Sequence, residues 1–202
     1  MVPFDVPGQP GGSPASGLGD HGERRHLSIM FCDLVGSTPM AERLDPEDYR
    51  DLVHRYQSIA RSAISRYGGR IAQYLGDGVV AFFGYPAAQE DDSRRAVMAG
   101  LDITARLAED YDSEMAARVA IHAGEVVVSV LTLPDGRTGY ELVGSAVNLA
   151  ARLQEVAKPN SVVVSDTVAS LVAGYFALDA LGSFQLKGIS EPVAVHTPRE
   201  SY

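Results

Sequence analysis

The sequence predicts an α+β domain with a ferredoxin-like βαββαβ core, additional strands and a projecting hairpin arm. Three observations carry this: an apolar strand at Leu27–Cys32, a long amphipathic helix that begins at Pro46, and a tight hairpin around Gly76-Asp77-Gly78 followed by a second helix. The chain has 202 residues, which suits a single α/β unit with a tail, and 46% apolar with 21% charged residues is ordinary for a globular protein.

Residues 1–22 hold six glycines and four prolines and few large apolar side chains, so they are expected to be a disordered tail ahead of a domain at 23–198, with 199–202 as a short end. The first strand, Leu27–Cys32, leads toward a helix whose start is marked by Asp45 as N-cap and Pro46 at the first helical position. Tyr49, Leu52, Val53, Tyr56, Ala60, Ala63, Ile64 and Tyr67 recur at helical spacing, and Gly68-Gly69 ends the run. Two apolar strands, Ile71–Leu75 and Val79–Phe83, flank the hairpin turn. Glu90–Asp110 reads as a helix with acidic residues in its first turn and Val97, Leu101, Thr104 and Ala108 along one side. Ala117–Ala123 and Glu125–Leu131 read as two strands, and Pro134-Asp135-Gly136 as the turn of an arm. A helix over Gly144–Val156, a strand at Ser161–Ser165, a short helix at Thr167–Val172 and strands at Phe184–Leu186 and Val193–His196 complete the chain.

Composition removes several function classes. A formal charge of −9 opposes general affinity for nucleic acid, whose phosphates need clustered Lys and Arg. No apolar run reaches the roughly 18–20 residues of a membrane span, and the first residues lack the basic start and apolar stretch of a signal peptide, so a cytoplasmic protein is expected. The single cysteine, Cys32, sits inside an apolar strand and reads as a buried structural thiol. His54 and His122 stand too far from other ligand residues to suggest zinc, and His122 reads as a packed or hydrogen-bonded histidine. There is no P-loop pattern and no evident Ser or Cys triad.

What remains is carboxylate chemistry. In Ile29–Thr38 an apolar strand ends in Asp33 and turns through Gly36 into polar residues, exposing one carboxylate and a row of backbone N–H groups together. The βαββαβ order lays the end of the first strand beside the hairpin, which brings Asp33 and Asp77 together and suggests a two-metal site. By itself, Asp77 in a Gly-Asp-Gly turn is more often just a turn residue, because Asp and Gly are favoured there for backbone reasons. Asn148 and Arg152, four apart, share one helix face beside Leu149, Leu153 and Val156; taken alone they read as a surface pair, and Lys187 as a solvated lysine.

Phe31-Cys-Asp-Leu-Val-Gly-Ser-Thr38, Gly76-Asp77-Gly78, Val147-Asn-Leu-Ala-Ala-Arg152 and Leu186-Lys-Gly188 together resemble the catalytic domain of class III nucleotidyl cyclases, with bacterial adenylate cyclases most alike. The resemblance implies a lyase that closes ATP to 3′,5′-cyclic AMP and pyrophosphate, with Mg²⁺ or Mn²⁺, two per site, held by Asp33, Asp77 and the Leu34 carbonyl. It implies that Val35, Gly36, Ser37, Thr38 and Lys187 bind phosphates, that Asn148 orients the ribose, and that Arg152 stabilises charge on the transferring phosphorus. It further implies a head-to-tail homodimer in which each site takes the aspartates from one subunit and the Asn-Arg pair from the other. Where such adenylate cyclases usually place Lys and Asp against the base, this chain has Gln73 and Glu141. Gln73 offers both a donor and an acceptor, so ATP use with some GTP use is expected. The competing expectation is a degenerate cyclase homology domain that binds nucleotide or a partner without turnover. A cyclic dinucleotide synthase would need a Gly-Gly-Asp/Glu-Glu-Phe signature, which is absent.

Overall fold

The computed structural model describes residues 22–110 and 115–200. The tail expected over 1–22 falls outside these residues except for Gly22, as do 201–202 of the expected short end. Eight strands and five helices follow in the order β1 (Glu23–Leu34), α1 (Ser37–Arg43), α2 (Pro46–Arg66), β2 (Arg70–Leu75), β3 (Gly78–Phe83), α3 (Asp92–Glu109), β4 (Ala117–Thr132), β5 (Thr138–Val143), α4 (Ser145–Leu153), β6 (Ser161–Ser165), α5 (Asp166–Val172), β7 (Phe176–Phe184) and β8 (Val193–Glu200). One turn of 3₁₀ helix, Gln154–Val156, extends α4. The sheet runs β2-β3-β1-β4-β6-β8-β7, with β5 paired to β4. Its β2-β3-β1-β4 half is the expected βαββαβ order, and β1 lies antiparallel between β3 and β4.

The two faces of the sheet bury separate cores. Met30, Cys32 and Leu34 of β1 point into a large cluster with Tyr56, Ala60, Ala63 and Ile64 of α2 and Ala96, Val97, Ile103 and Leu107 of α3. The alternate residues Leu27 and Ile29 face the other way and pack with Phe82, Val126, Val128, Ala146 and Ala150 under α4 and the β4–β5 arm. A third cluster joins Leu153 of α4 to Ala120, Val163, Leu186 and Val195. The period-2 alternation along β1 therefore decides which face each side chain serves.

Several elements differ from the sequence expectation, each for a local reason. The two strands expected at Ala117–Ala123 and Glu125–Leu131 are one 16-residue strand, β4. Gly124 does not break it but pairs with Leu27 of β1. A Cβ on Gly124 would stand 2.7 Å from the Cβ of Ala146, so the glycine is there to let α4 approach the sheet. The inner face of α3 is only partly the one expected: Val97 and Thr104 are buried, together with Ala96, Gly100, Ile103 and Leu107, whereas Leu101 is half-buried and Ala108 exposed. Small residues on that face weaken the apolar pattern, and Gly100 sits 3.1 Å and 3.3 Å, Cβ position to methyl, from Val119 and Val162. The strand expected at Phe184–Leu186 lies earlier, over Phe176–Phe184, because a register shift between Ala180 and Gly182 interrupts its alternation. Leu186 instead anchors the following loop in the third cluster. Helix α1 was not expected, since its seven residues include no buried one and only Met40 packs on the core.

The β4–β5 arm is held over β2 by aromatic packing. Phe82, fully buried, meets Tyr140 edge-on with centroids 5.1 Å apart and Tyr85 at 6.2 Å, and Arg70 donates to the Tyr140 hydroxyl at 2.9 Å. Phe82→Ala removes the centre of this cluster and is expected to destabilise the fold by about 3–5 kcal/mol in urea unfolding, whereas Phe82→Leu keeps most of the volume and loses less.

Candidate active site

The site begins at the end of β1. Phe31 pairs with Val80 and Cys32 with Val79, so Asp33, the next residue along β1, lies beside the β2–β3 turn that carries Asp77. Burial pushes the Asp33 carboxyl upward, Arg118 acts against it, and the Asp77 charge adds a smaller upward push. Cys32 and Leu34, on either side of Asp33, are buried on the opposite face, which locks the strand and leaves the carboxylate facing the α4 side. The Cys32 thiol accepts a hydrogen bond from the Tyr56 hydroxyl at 3.0 Å and is pushed up to about 12, chiefly by burial, so it stays protonated and serves packing.

Asp33 is not alone. Its direct cross-strand partner on β4 is Arg118, whose Nε and Nη2 donate to Oδ1 at 3.2 Å and Oδ2 at 3.0 Å. Sequence reasoning missed Arg118. The available signal was a single cation inside the apolar run Ala117–Ala123, on the face that the alternation assigns to Ala120 and His122.

Beyond Leu34 the chain turns at Gly36, with φ 69°, into α1. The Val35 N–H donates to the Ala116 carbonyl at 2.8 Å and so is already committed, which sets Val35 apart from the other residues expected to bind phosphate. Gly36, Ser37 and Thr38 head the helix, where N–H groups have no intrahelical acceptor.

Asn148 and Arg152 lie one turn apart on the exposed side of α4, while Ala146, Ala150 and Leu153 bury the other. Arg152 donates to Glu155 at 2.9 Å rather than to either aspartate. The helix is nevertheless tied to the carboxylate strand, because the Gln154 amide donates to the Arg118 backbone carbonyl at 3.2 Å. Lys187 is exposed in the β7–β8 loop, and its neighbour Leu186 packs in the same cluster as Leu153, so the segments bearing Lys187 and Arg152 share one anchorage.

Gln73 pairs with Val80, the residue that also pairs with Phe31, so it shares a sheet face with Asp33. It opens into a cavity of about 390 Å³ beneath the arm, shared with Arg137 and Thr138. Glu141 is exposed on β5, paired with Ser129, and does not line that cavity. The two base-facing candidates are therefore not in one cavity of a single chain.

The donor set at β1 and the β2–β3 turn, two carboxylates and a strand-end carbonyl, has the hard oxygen chemistry that Mg²⁺ and Mn²⁺ require, and the Asp77 charge acting on Asp33 favours a cation there. On the same face, His122 Nδ1 lies 2.8 Å from the Ser165 hydroxyl, and burial, with a smaller push from His26, lowers the imidazole to about 4 from 6.5. The unfolded chain takes up this proton as pH falls below about 6.5 and the folded chain only near 4, so the stabilising effect of a neutral His122 is complete above that interval and is lost as pH falls through it. Urea unfolding across the same interval is expected to show a smaller acid loss in His122→Gln than in the parent chain.

The chain matches the family described as the adenylate and guanylate cyclase catalytic domain over residues 20–197. An uncharacterized protein of Rhizobium meliloti is 35% identical over 93% of this chain, and one of Mycobacterium tuberculosis is 31% identical over 88%. The chain spans only 18% and 34% of their respective lengths. Among solved structures, the adenylyl cyclase CyaB from P. aeruginosa superposes with a TM-score of 0.80 at 28% identity, covering 89% of this chain and 96% of that one. The guanylyl cyclase Cya2 gives 0.81 at 29% identity over 88% and 93%. Strand order, the paired carboxylates and these similarities agree, and the chain belongs to the adenylate and guanylate cyclase catalytic domain family.

Proposed function

We propose that this domain is a nucleotidyl cyclase that converts ATP, with GTP as a side substrate, into the 3′,5′-cyclic nucleotide and pyrophosphate. The observation that carries this reading is the placement of Asp33 and Asp77 at neighbouring strand ends, where the Asp77 charge adds to the burial that pushes the Asp33 carboxyl upward. Asp33, Asp77 and the Leu34 carbonyl would hold two Mg²⁺ or Mn²⁺ ions, which supply charge neutralisation at the triphosphate and a more acidic ribose 3′-hydroxyl.

The remaining roles fall to the chain's own groups. Gly36, Ser37 and Thr38 offer backbone N–H groups to the phosphates, and Lys187 adds a point charge from the β7–β8 loop. Val35 contributes through its place in the turn, with its N–H held by Ala116. Arg118, always charged and already beside Asp33, is placed for phosphate oxygens that arrive at that carboxylate. Asn148 orients the ribose. Arg152, whose present partner Glu155 is exposed, turns its guanidinium fork to the charge that develops as the 3′-oxygen attacks the α-phosphorus and pyrophosphate leaves. Gln73 and Glu141 face the base.

A head-to-tail homodimer unites these groups. Within one chain Arg152 is turned to Glu155, and Tyr74, Leu75, Val130 and Val143 on the β2 and β4–β5 rim leave large apolar side chains exposed. In a two-fold dimer such a rim covers itself while each protomer offers its aspartates to the other's α4.

Purified protein with Mg²⁺ or Mn²⁺ is expected to release cyclic AMP from ATP, and less cyclic GMP from GTP, and Asp77→Ala is expected to abolish both. A dimeric wild-type sample that binds nucleotide and releases no product would overturn this reading in favour of a domain without turnover. Mixing inactive Asp77→Ala with inactive Arg152→Ala is expected to restore roughly a quarter of wild-type activity, since half of the re-assorted dimers hold one intact site of two. Activity that stays at background after subunit exchange would rule out shared sites.

A further inference from the structure

Resting on the cyclase reading above, and deepening it at the base, we infer that Arg137 in the β4–β5 arm is the residue that admits guanine. The cavity at Gln73 has about 390 Å³, ample for a purine, with Tyr74 and Leu133 as apolar walls and Arg137 and Thr138 as polar ones. Gly139 keeps Leu133 close: a Cβ there would meet the leucine side chain at 2.9 Å. Among the described residues the Gln73 amide has no hydrogen-bond partner, and neither do the two Nη groups of Arg137.

The guanidinium is tethered within its own turn. Asp135 accepts from the Arg137 backbone N–H at 3.0 Å and from its Nε at 2.6 Å, and these two bonds, with the adjacent charge, hold the Asp135 carboxyl below its usual range. With Nε occupied, the outer fork is left as a pair of parallel donors on a tether set by the Pro134-Asp135-Gly136 turn.

A donor-only fork discriminates between purines. Guanine presents two acceptors side by side, O6 and N7, whereas adenine replaces O6 with an amino group that is itself a donor. Gln73, able to donate or accept, tolerates either base. Adenine leaves the fork only N7 to bind, so Arg137 contributes more to GTP binding than to ATP binding, while Asp135 acts as a positioning residue through Arg137.

The test is kcat/KM for ATP and for GTP in the wild type, Arg137→Ala and Asp135→Asn. The Arg137 side chain is 78% exposed, so its removal leaves the fold intact. The GTP-to-ATP ratio is expected to fall about tenfold or more in Arg137→Ala and by less, in the same direction, in Asp135→Asn. A ratio unchanged in Arg137→Ala overturns the assignment. Should the wild type turn over neither nucleotide, the cyclase reading fails, and the ratio of GTP to ATP affinities, measured by displacement of a fluorescent nucleotide analogue, tests Arg137 with the same two outcomes.

Discussion

The register of β1 between β3 and β4 is the constraint from which the site follows. Pairing on both edges places Asp33 opposite Arg118 on one side and beside the Asp77 turn on the other. Because side chains alternate with period 2, a slip of one residue would send Asp33 into the core shared with α2 and α3 and turn Cys32 toward solvent. The burial of Met30, Cys32 and Leu34 on that core face opposes such a slip, since each of these side chains would lose its packing. The hydrophobic face of the strand thus fixes the chemistry of its other face.

The two sides of the sheet divide the work. One is closed by α2 and α3 with a continuous apolar core and no polar group that the proposed reaction uses. The other carries Asp33, Arg118, Gln73 and α4, and its smaller cores under Phe82 and Leu153 serve to set angles: that of the arm over β2, and that of α4 over β4. Gly124 and Ala146 let α4 sit close to the strand, and Gln154 fastens its end to the backbone of Arg118. Asn148 and Arg152 consequently project from a rigid element whose position depends on the strand that holds the carboxylate pair. Lys187 gains the same dependence through Leu186.

Much of the fold was legible because local signals agreed. The stripe from Tyr56 to Ile64, the Asp45-Pro46 start and the Gly68-Gly69 stop gave α2 nearly to the residue, and the hairpin at Gly76-Asp77-Gly78 stands where the turn residues put it. What escaped had a weak local signal for an identifiable reason. Helix α1 has no buried residue to create a stripe, β7 is interrupted by a bulge, and the inner face of α3 interleaves Ala96, Ala99 and Gly100 with Val97, Ile103 and Leu107, which dilutes its stripe. Gly124 looked like a break because a glycine that admits a neighbouring helix and one that ends a strand are the same letter.

The sequence by itself determined which chemistry is available: two acidic strand ends, an Asn and an Arg one helical turn apart, and a formal charge of −9. Those follow from residue type and from spacings within one element, where the geometry of helix and strand is known in advance. Only the tertiary structure decided that Asp33 is clamped by Arg118, 85 residues away, that the Val35 N–H is already spent on Ala116, and that Gln73 shares its cavity with Arg137 and not with Glu141. Each of these depends on strand register and on the curl of an arm over a sheet, and no pattern within a single segment encodes the distance between two segments that meet across a core.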